Sequence, residues 1–124
     1  MGACLIKKVA TGVKFDLVAG NGEVVATSEV YKTAAACRKG IDSVIRNAAI
    51  AATEDLTAAE KPLPNPKFEL YRDRADAFRF RLRSRNGSII AVSEGYQNRT
   101  GCLSGIESVR QNAKNPEIIP FFEK

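Results

Sequence analysis

Over residues 13–19 and 78–84, apolar and polar side chains alternate, the period-two signature of a strand with one buried face. Residues 3–8 and 67–72 are shorter strand candidates. Residues 23–28 and 88–93 place apolar side chains on both faces (Val24, Val25; Ile89, Ile90), which predicts central strands covered on both sides. Between the second and third strands of each set stand Asn21-Gly22 and Asn86-Gly87, pairs that tolerate the positive φ of a type I′ hairpin turn. The period then changes. Cys37, Ile41, Val44 and Ala48 recur at steps of four, three and four, as do Cys102, Ile106, Val109 and Ala113, so each set predicts a helix with one apolar face. Thr33 and Asn98 stand where an N-cap belongs. The helices end near Ala48 and Ala113, and Pro116 bars further turns.

The two sets are copies. Asn21, Gly22, Ala26, Ser28, Glu29, Tyr31, Cys37, Gly40, Ile41, Ser43, Val44, Asn47 and Ala48 return as Asn86, Gly87, Ala91, Ser93, Glu94, Tyr96, Cys102, Gly105, Ile106, Ser108, Val109, Asn112 and Ala113, at a constant offset of 65. So fixed a register means tandem duplication. The stretch 53–66, with Pro62, Pro64 and Pro66, holds the only linker candidate. We divide the chain into repeat 1 (1–57), a linker (58–66) and repeat 2 (67–122). A motif of this length has a marginal core by itself, so the expectation is one compact domain over 1–124, of class α+β, in which two copies related by a pseudo-twofold axis share one antiparallel sheet and one core.

Composition narrows the chemistry. The chain of 124 residues is 44% apolar and 27% charged, an ordinary soluble balance. No apolar run approaches the roughly 20 residues that span a bilayer, so no membrane partner is expected. The three cysteines Cys4, Cys37 and Cys102 form neither a disulfide framework nor a zinc pattern, and a cytoplasmic location is expected. There is no histidine, which removes Ser-His and Cys-His nucleophiles and the commonest metal ligand. No cofactor is expected. The net charge of +5 is uneven: residues 1–65 hold eight Lys/Arg against seven Asp/Glu, residues 66–124 eleven against seven.

The run Asn86-Gly87-Ser88-Ile89-Ile90-Ala91-Val92-Ser93-Glu94-Gly95-Tyr96, followed by Gly101-Cys102-Leu103-Ser104-Gly105-Ile106-Glu107-Ser108-Val109, resembles the YegP-like family of small bacterial proteins, which carry one or two copies of a domain of unknown function. The resemblance covers nearly the whole chain. The first copy departs at Val30 and Ala36, where the pattern favours Gly. The resemblance implies a β-β-β-α-β unit whose tandem copies exchange their last strands, here residues around 53–57 and 117–122. It implies no activity.

Several residues invite a chemical reading beside a structural one. Cys37 and Cys102 sit past the helix caps on the apolar stripe, which favours buried thiols over redox or catalytic ones. Gly40 and Gly105 interrupt good helices and favour a close helix–sheet contact over approach to a ligand. Ser28-Glu29-x-Tyr31 and Ser93-Glu94-x-Tyr96 join strand to helix. A carboxylate, phenol and hydroxyl together suit acid–base work, yet the same groups suit a cap and a staple between loop and core. The sharpest feature is Phe78-Arg79-Phe80-Arg81-Leu82-Arg83-Ser84-Arg85. A strand here turns its apolar side chains one way and Arg79, Arg81, Arg83 and Arg85 the other, at intervals of roughly 6.7 Å. Such a stripe suits phosphates. It equally suits the solvated side of a sheet, and the first copy has Lys14, Asp16 and Val18 there.

Three readings follow. The leading one is a non-enzymatic binding or interaction module, monomeric because the second copy supplies what a partner subunit would. The second is sequence-tolerant binding of nucleic acid or another polyanion through the arginine stripe. A small enzyme is third, with no catalytic residues to name.

Overall fold

The structure is a computed structural model that describes residues 2–59 and 61–120. Strands β1 (Ala3–Val9), β2 (Gly12–Val18) and β3 (Val24–Thr27) lead into helix α1 (Ala34–Ala48) and strand β4 (Ala52–Asp55). The second copy gives β5 (Lys67–Arg72), β6 (Phe78–Arg83), β7 (Ile89–Val92), α2 (Arg99–Asn112) and β8 (Glu117–Ile119). All eight strands form one sheet in the order β4-β5-β6-β7-β3-β2-β1-β8. The copies meet at its centre, where β3 and β7 pair antiparallel through Thr27 and Val92.

The sheet is mixed, which corrects the expectation of a wholly antiparallel one. The hairpins are antiparallel, but β4 runs parallel to β5 and β8 parallel to β1. The last strand of each copy therefore lies beside the first strand of the other. Adjacent parallel strands need a long return connection, and residues 56–66 are that return for β4 and β5. That connection is tied to the sheet where the Leu63 N–H donates to Glu54 Oε1 (2.7 Å) and Lys67 Nζ donates to Glu54 Oε1 (2.8 Å) and the Leu63 carbonyl (3.0 Å). Phe121 and Phe122, assigned above to the second exchanged strand, lie outside the described residues.

One core joins both copies. Alternate strand residues Cys4, Ile6, Phe15, Leu17, Phe68, Leu70, Phe80 and Leu82 meet the helix faces carrying Cys37, Ile41, Val44, Cys102, Ile106 and Val109. Each large side chain so buried contributes about 1.5–3 kcal/mol. Both helices lie on this one face, so β3 and β7 are central in order but not covered twice: Val24 is half-buried and Ile89 is 37% exposed. Their doubled apolar residues have another cause. Val18 pairs with Val24 and Leu17 with Ala26, leaving Val25 as the extra residue of a β-bulge; Ile90 is its counterpart between Ile89 and Ala91.

The hairpin turns also differ from the type I′ expectation. Ala19 N donates to the Glu23 carbonyl and Gly22 N to the Ala19 carbonyl, with Ser84, Ser88 and Gly87 repeating this. Positive φ occurs at Gly22 (88°) and Gly87 (89°) but not at Asn21 or Asn86. These are three-residue loops, a type I turn closed by a glycine bulge. Each asparagine braces its turn by accepting from the N–H two residues on, Glu23 and Ser88. The helix caps are as read: Thr33 Oγ1 accepts from Ala36 N (3.0 Å) and Asn98 Oδ1 from Gly101 N (2.7 Å). No helix among the described residues is long and apolar enough to cross a membrane.

Candidate functional site

The Ser-Glu-x-Tyr segments close a second irregularity in each copy. Ser28 N donates to the Phe15 carbonyl, and Tyr31 exchanges both backbone hydrogen bonds with Val13. Three residues thus oppose two. Ser28 Oγ fills the gap, accepting from Phe15 N (2.9 Å) and donating to the Glu29 carbonyl (2.7 Å). Ser93 Oγ does the same between Phe80 N (2.9 Å) and the Glu94 carbonyl (2.8 Å). Each hydroxyl is therefore engaged in both directions, while Glu29 and Glu94 are exposed.

The tyrosines explain the helix glycines. A Cβ on Gly40 would overlap the Tyr31 hydroxyl, and one on Gly105 the Tyr96 hydroxyl, well inside van der Waals contact. The glycines thus make room for a ring that lies between the bulge and the helix. Tyr96 also stacks on Phe80, 6.3 Å between centroids. Burial, then the nearby Glu29, pushes the Tyr31 phenol up to about 12, and burial likewise raises Tyr96. Cys4, Cys37 and Cys102 are at most 1% exposed. Burial raises all three thiols, Cys4 to about 12 and Cys102 to about 11, far from the thiolate that a nucleophile needs.

The uncovered side of the sheet, its outer face, carries the arginine stripe, in altered form. Arg79, Arg81 and Arg83 lie on β6, but Arg85 falls in the β6–β7 turn and leaves the row. The three that remain face carboxylates. Arg81 Nε and Arg83 Nε share Glu69 Oε1 at 2.6 and 2.7 Å, and Arg79 Nε meets Asp73 Oδ2 at 2.5 Å. Arg79 also donates to the Ser93 carbonyl (3.0 Å) and Arg81 lies over the Tyr71 ring (4.6 Å). Burial alone would raise the Glu69 carboxyl, but the two guanidiniums outweigh it and hold it below the usual range. On repeat 1, Asp16 takes Lys7, Lys14 at 3.8 Å and the Thr27 hydroxyl at 2.7 Å; against its burial, these lower it too. A depression of about 360 Å³ crosses this face at β3 and β7, between Lys7, Lys14, Thr27 and Arg79.

Glu69, Glu54, Lys67 and Asp73 were missed in the sequence, and Asp16 was noted only as a break in the stripe. A signal existed: Lys67, Glu69 and Tyr71 alternate on β5, and pairing β5 with β6 sets them opposite Arg83, Arg81 and Arg79. Among the described residues, no group of three or more Cys, Asp or Glu is placed to hold a metal ion.

The comparisons with known proteins agree with the duplication. The family model described as "Domain of unknown function (DUF1508)" matches residues 10–55 and again 73–119. A UPF0339 protein of Treponema denticola is 55% identical over 53 residues, 43% of this chain and 91% of that one. The UPF0339 protein YegP of Yersinia pestis is 34% identical over 114 residues, 91% of this chain and 89% of the relative. The solution NMR structure of a UPF0339 protein from Shewanella oneidensis superposes with a TM-score of 0.78 at 30% identity, covering 96% of this chain and 90% of that one. With two copies of that domain matched over most of its length, the chain belongs to the DUF1508 family.

Proposed function

We propose that the chain is a non-enzymatic binding module whose contact surface is the outer face of the sheet, and that this face suits an anionic partner. The observation that carries the reading is the use of the repeated motif. Its serines complete the strand ladder, its tyrosines and glycines interlock, and its cysteines lie in the core, so the motif is committed to the fold in both copies. The outer face is where the copies diverge. There, Lys7, Lys14, Lys67, Arg79, Arg81 and Arg83 outnumber Asp16, Glu54, Glu69, Asp73 and Glu94. The excess is modest, and a polyanion has to compete with Glu69 for two of the guanidiniums. The module works as a monomer with internal pseudo-twofold symmetry, and its three unpaired thiols fit the cytoplasm.

A single-stranded oligothymidylate tests this through fluorescence anisotropy at several salt concentrations. The three arginines of the row, if free, would give a log–log slope near −2.1, at about −0.7 per phosphate. The ion pairs predict a shallower slope. Glu69→Gln releases Arg81 and Arg83, so affinity rises and the slope steepens by up to about 1.4. Affinity unchanged or lowered by Glu69→Gln counts against the face as an anion surface.

A further inference from the structure

We infer that a cleft at the junction of the two copies, away from the outer face, binds a small phosphomonoester. It lies where the last turn of α1 meets the β6–β7 turn, and it encloses about 530 Å³, within the range of small-molecule sites. Arg46 enters from the helix and Arg85 from the turn. No carboxylate lines the cleft, and neither guanidinium has an ion-pair partner among the described residues. Two guanidiniums lining one cleft without a counter-ion match the forked, multiply accepting oxygens of a terminal phosphate. The cleft lies at the negative end of α1, where a phosphate depends on the two guanidiniums to offset the helix carbonyls, of which the Asn47 carbonyl already accepts from Ile50 N and Ala51 N. Ile50, 59% exposed beside the arginines, offers an apolar wall for the body of the ligand.

The duplication supplies an internal control. The uncharged frame of the cleft recurs in the other copy: Ser43 and Asn47 return as Ser108 and Asn112, and Asn86 has its twin in Asn21. Asn47 Nδ2 donates to the Ser43 carbonyl at 2.7 Å and Asn112 Nδ2 to the Ser108 carbonyl at 2.8 Å, so this frame is structural at both ends. The arginines do not recur. Their counterparts are Gln111 and Gly20. Two positions on separate elements, 39 residues apart, both carry the cation in one copy and lack it in the other. The shared frame is structural; Arg46 also meets the negative end of α1, a role that Arg110 fills in α2, whereas Arg85 in the turn has no such partner among the described residues. The inference stands apart from the outer-face reading, since the residues differ and either can fail alone.

The test is an amide-shift titration of the intact chain with phenyl phosphate. Saturable shifts are expected at Ser43, Arg46 and Asn47 and across Ser84, Arg85 and Asn86, at one site per chain, with a dissociation constant in the millimolar range or tighter. Gly20, Asn21, Gln111 and Asn112 stay still. Arg46→Gln combined with Arg85→Gly installs the residues of the other copy and abolishes saturation with the thermal midpoint unchanged, as exposed substitutions usually leave it; Arg46→Gln alone, which leaves the turn untouched, weakens binding by roughly tenfold, as loss of one charged contact does. Phenol, without the phosphate, produces no shift there. The inference is overturned if phenyl phosphate gives no saturable shift, if Gly20, Asn21, Gln111 and Asn112 respond as strongly as the cleft residues, or if the double variant binds as well as the native chain. It is equally overturned if phenol acts as strongly, or if an oligothymidylate lacking a terminal phosphate occupies the cleft while phenyl phosphate does not.

Discussion

At the scale of single residues, the motif is a set of substitutes for missing backbone partners and missing space. Removing the hydroxyl in Ser28→Ala leaves the Phe15 N–H and the Glu29 carbonyl short of a partner inside the bulge, a loss of about 1–3 kcal/mol. Ser93→Ala should behave alike, and urea midpoints measure both. The glycines give a sharper contrast. In an open helix Gly→Ala stabilises by about 1 kcal/mol, but at Gly40 and Gly105 the added methyl collides with a tyrosine. Gly40→Ala and Gly105→Ala should therefore destabilise, and a gain in thermal midpoint for either would show that the ring does not lie there. Cys37 and Cys102 were legible as core residues from their place on the apolar stripe. The partner of the glycines was not, because Tyr31 and Gly40 are joined by a turn whose course no local pattern records.

At the scale of elements, β2 and β6 and both helices followed from periodicity, because each turns a continuous apolar face to the core; β1 and β5 were legible only as short strand candidates, and on β5 the polar residues Lys67 and Glu69 are buried as well. What failed was irregular. Val24-Val25 and Ile89-Ile90 looked like two-sided burial but contain a bulge residue, and a bulge copies the sequence signature of a buried strand. The arginine row failed at its end, since Arg85 already belongs to the turn, and its carboxylates come from β5 and the following loop, visible only once pairing is known. Those carboxylates set a pH dependence. Asp16, Glu54, Glu69 and Asp73 are all held below their ordinary values, Glu54 chiefly by the Leu63 N–H and Lys67, Asp73 chiefly by Arg79. A carboxyl lowered in the folded state makes the unfolded chain bind more protons between the two values, so stability rises with pH there. The contribution is complete above the usual carboxylate range of about 4 and is lost as pH falls through the lowered values. Urea midpoints at neutral pH and near pH 3 should differ clearly, and Glu69→Gln should shrink the difference.

At the scale of the whole molecule, exchanged terminal strands and a single core bind the copies to each other. Ile41 and Ile106 occupy equivalent helix faces, 2% and 1% exposed, so Ile41→Ala and Ile106→Ala should each cost about 2–5 kcal/mol. Either loss should lower one common unfolding transition, seen identically by far-UV circular dichroism and by tyrosine fluorescence; two separated transitions would mean that the copies fold independently. The same architecture turns both helices to one side and leaves the diverged residues on the other, and on that division rests the assignment of binding to the outer face. Amide-shift mapping of the 15N-labelled chain with oligothymidylate at low salt tests it most directly. The account predicts shifts clustered on β2, β3, β5 and β6, around Lys14, Thr27, Glu69, Arg79 and Arg81, with the segments around Ser28, Tyr31, Ser93 and Tyr96 moving little. Shifts centred on those motif segments, or none at all, would contradict it.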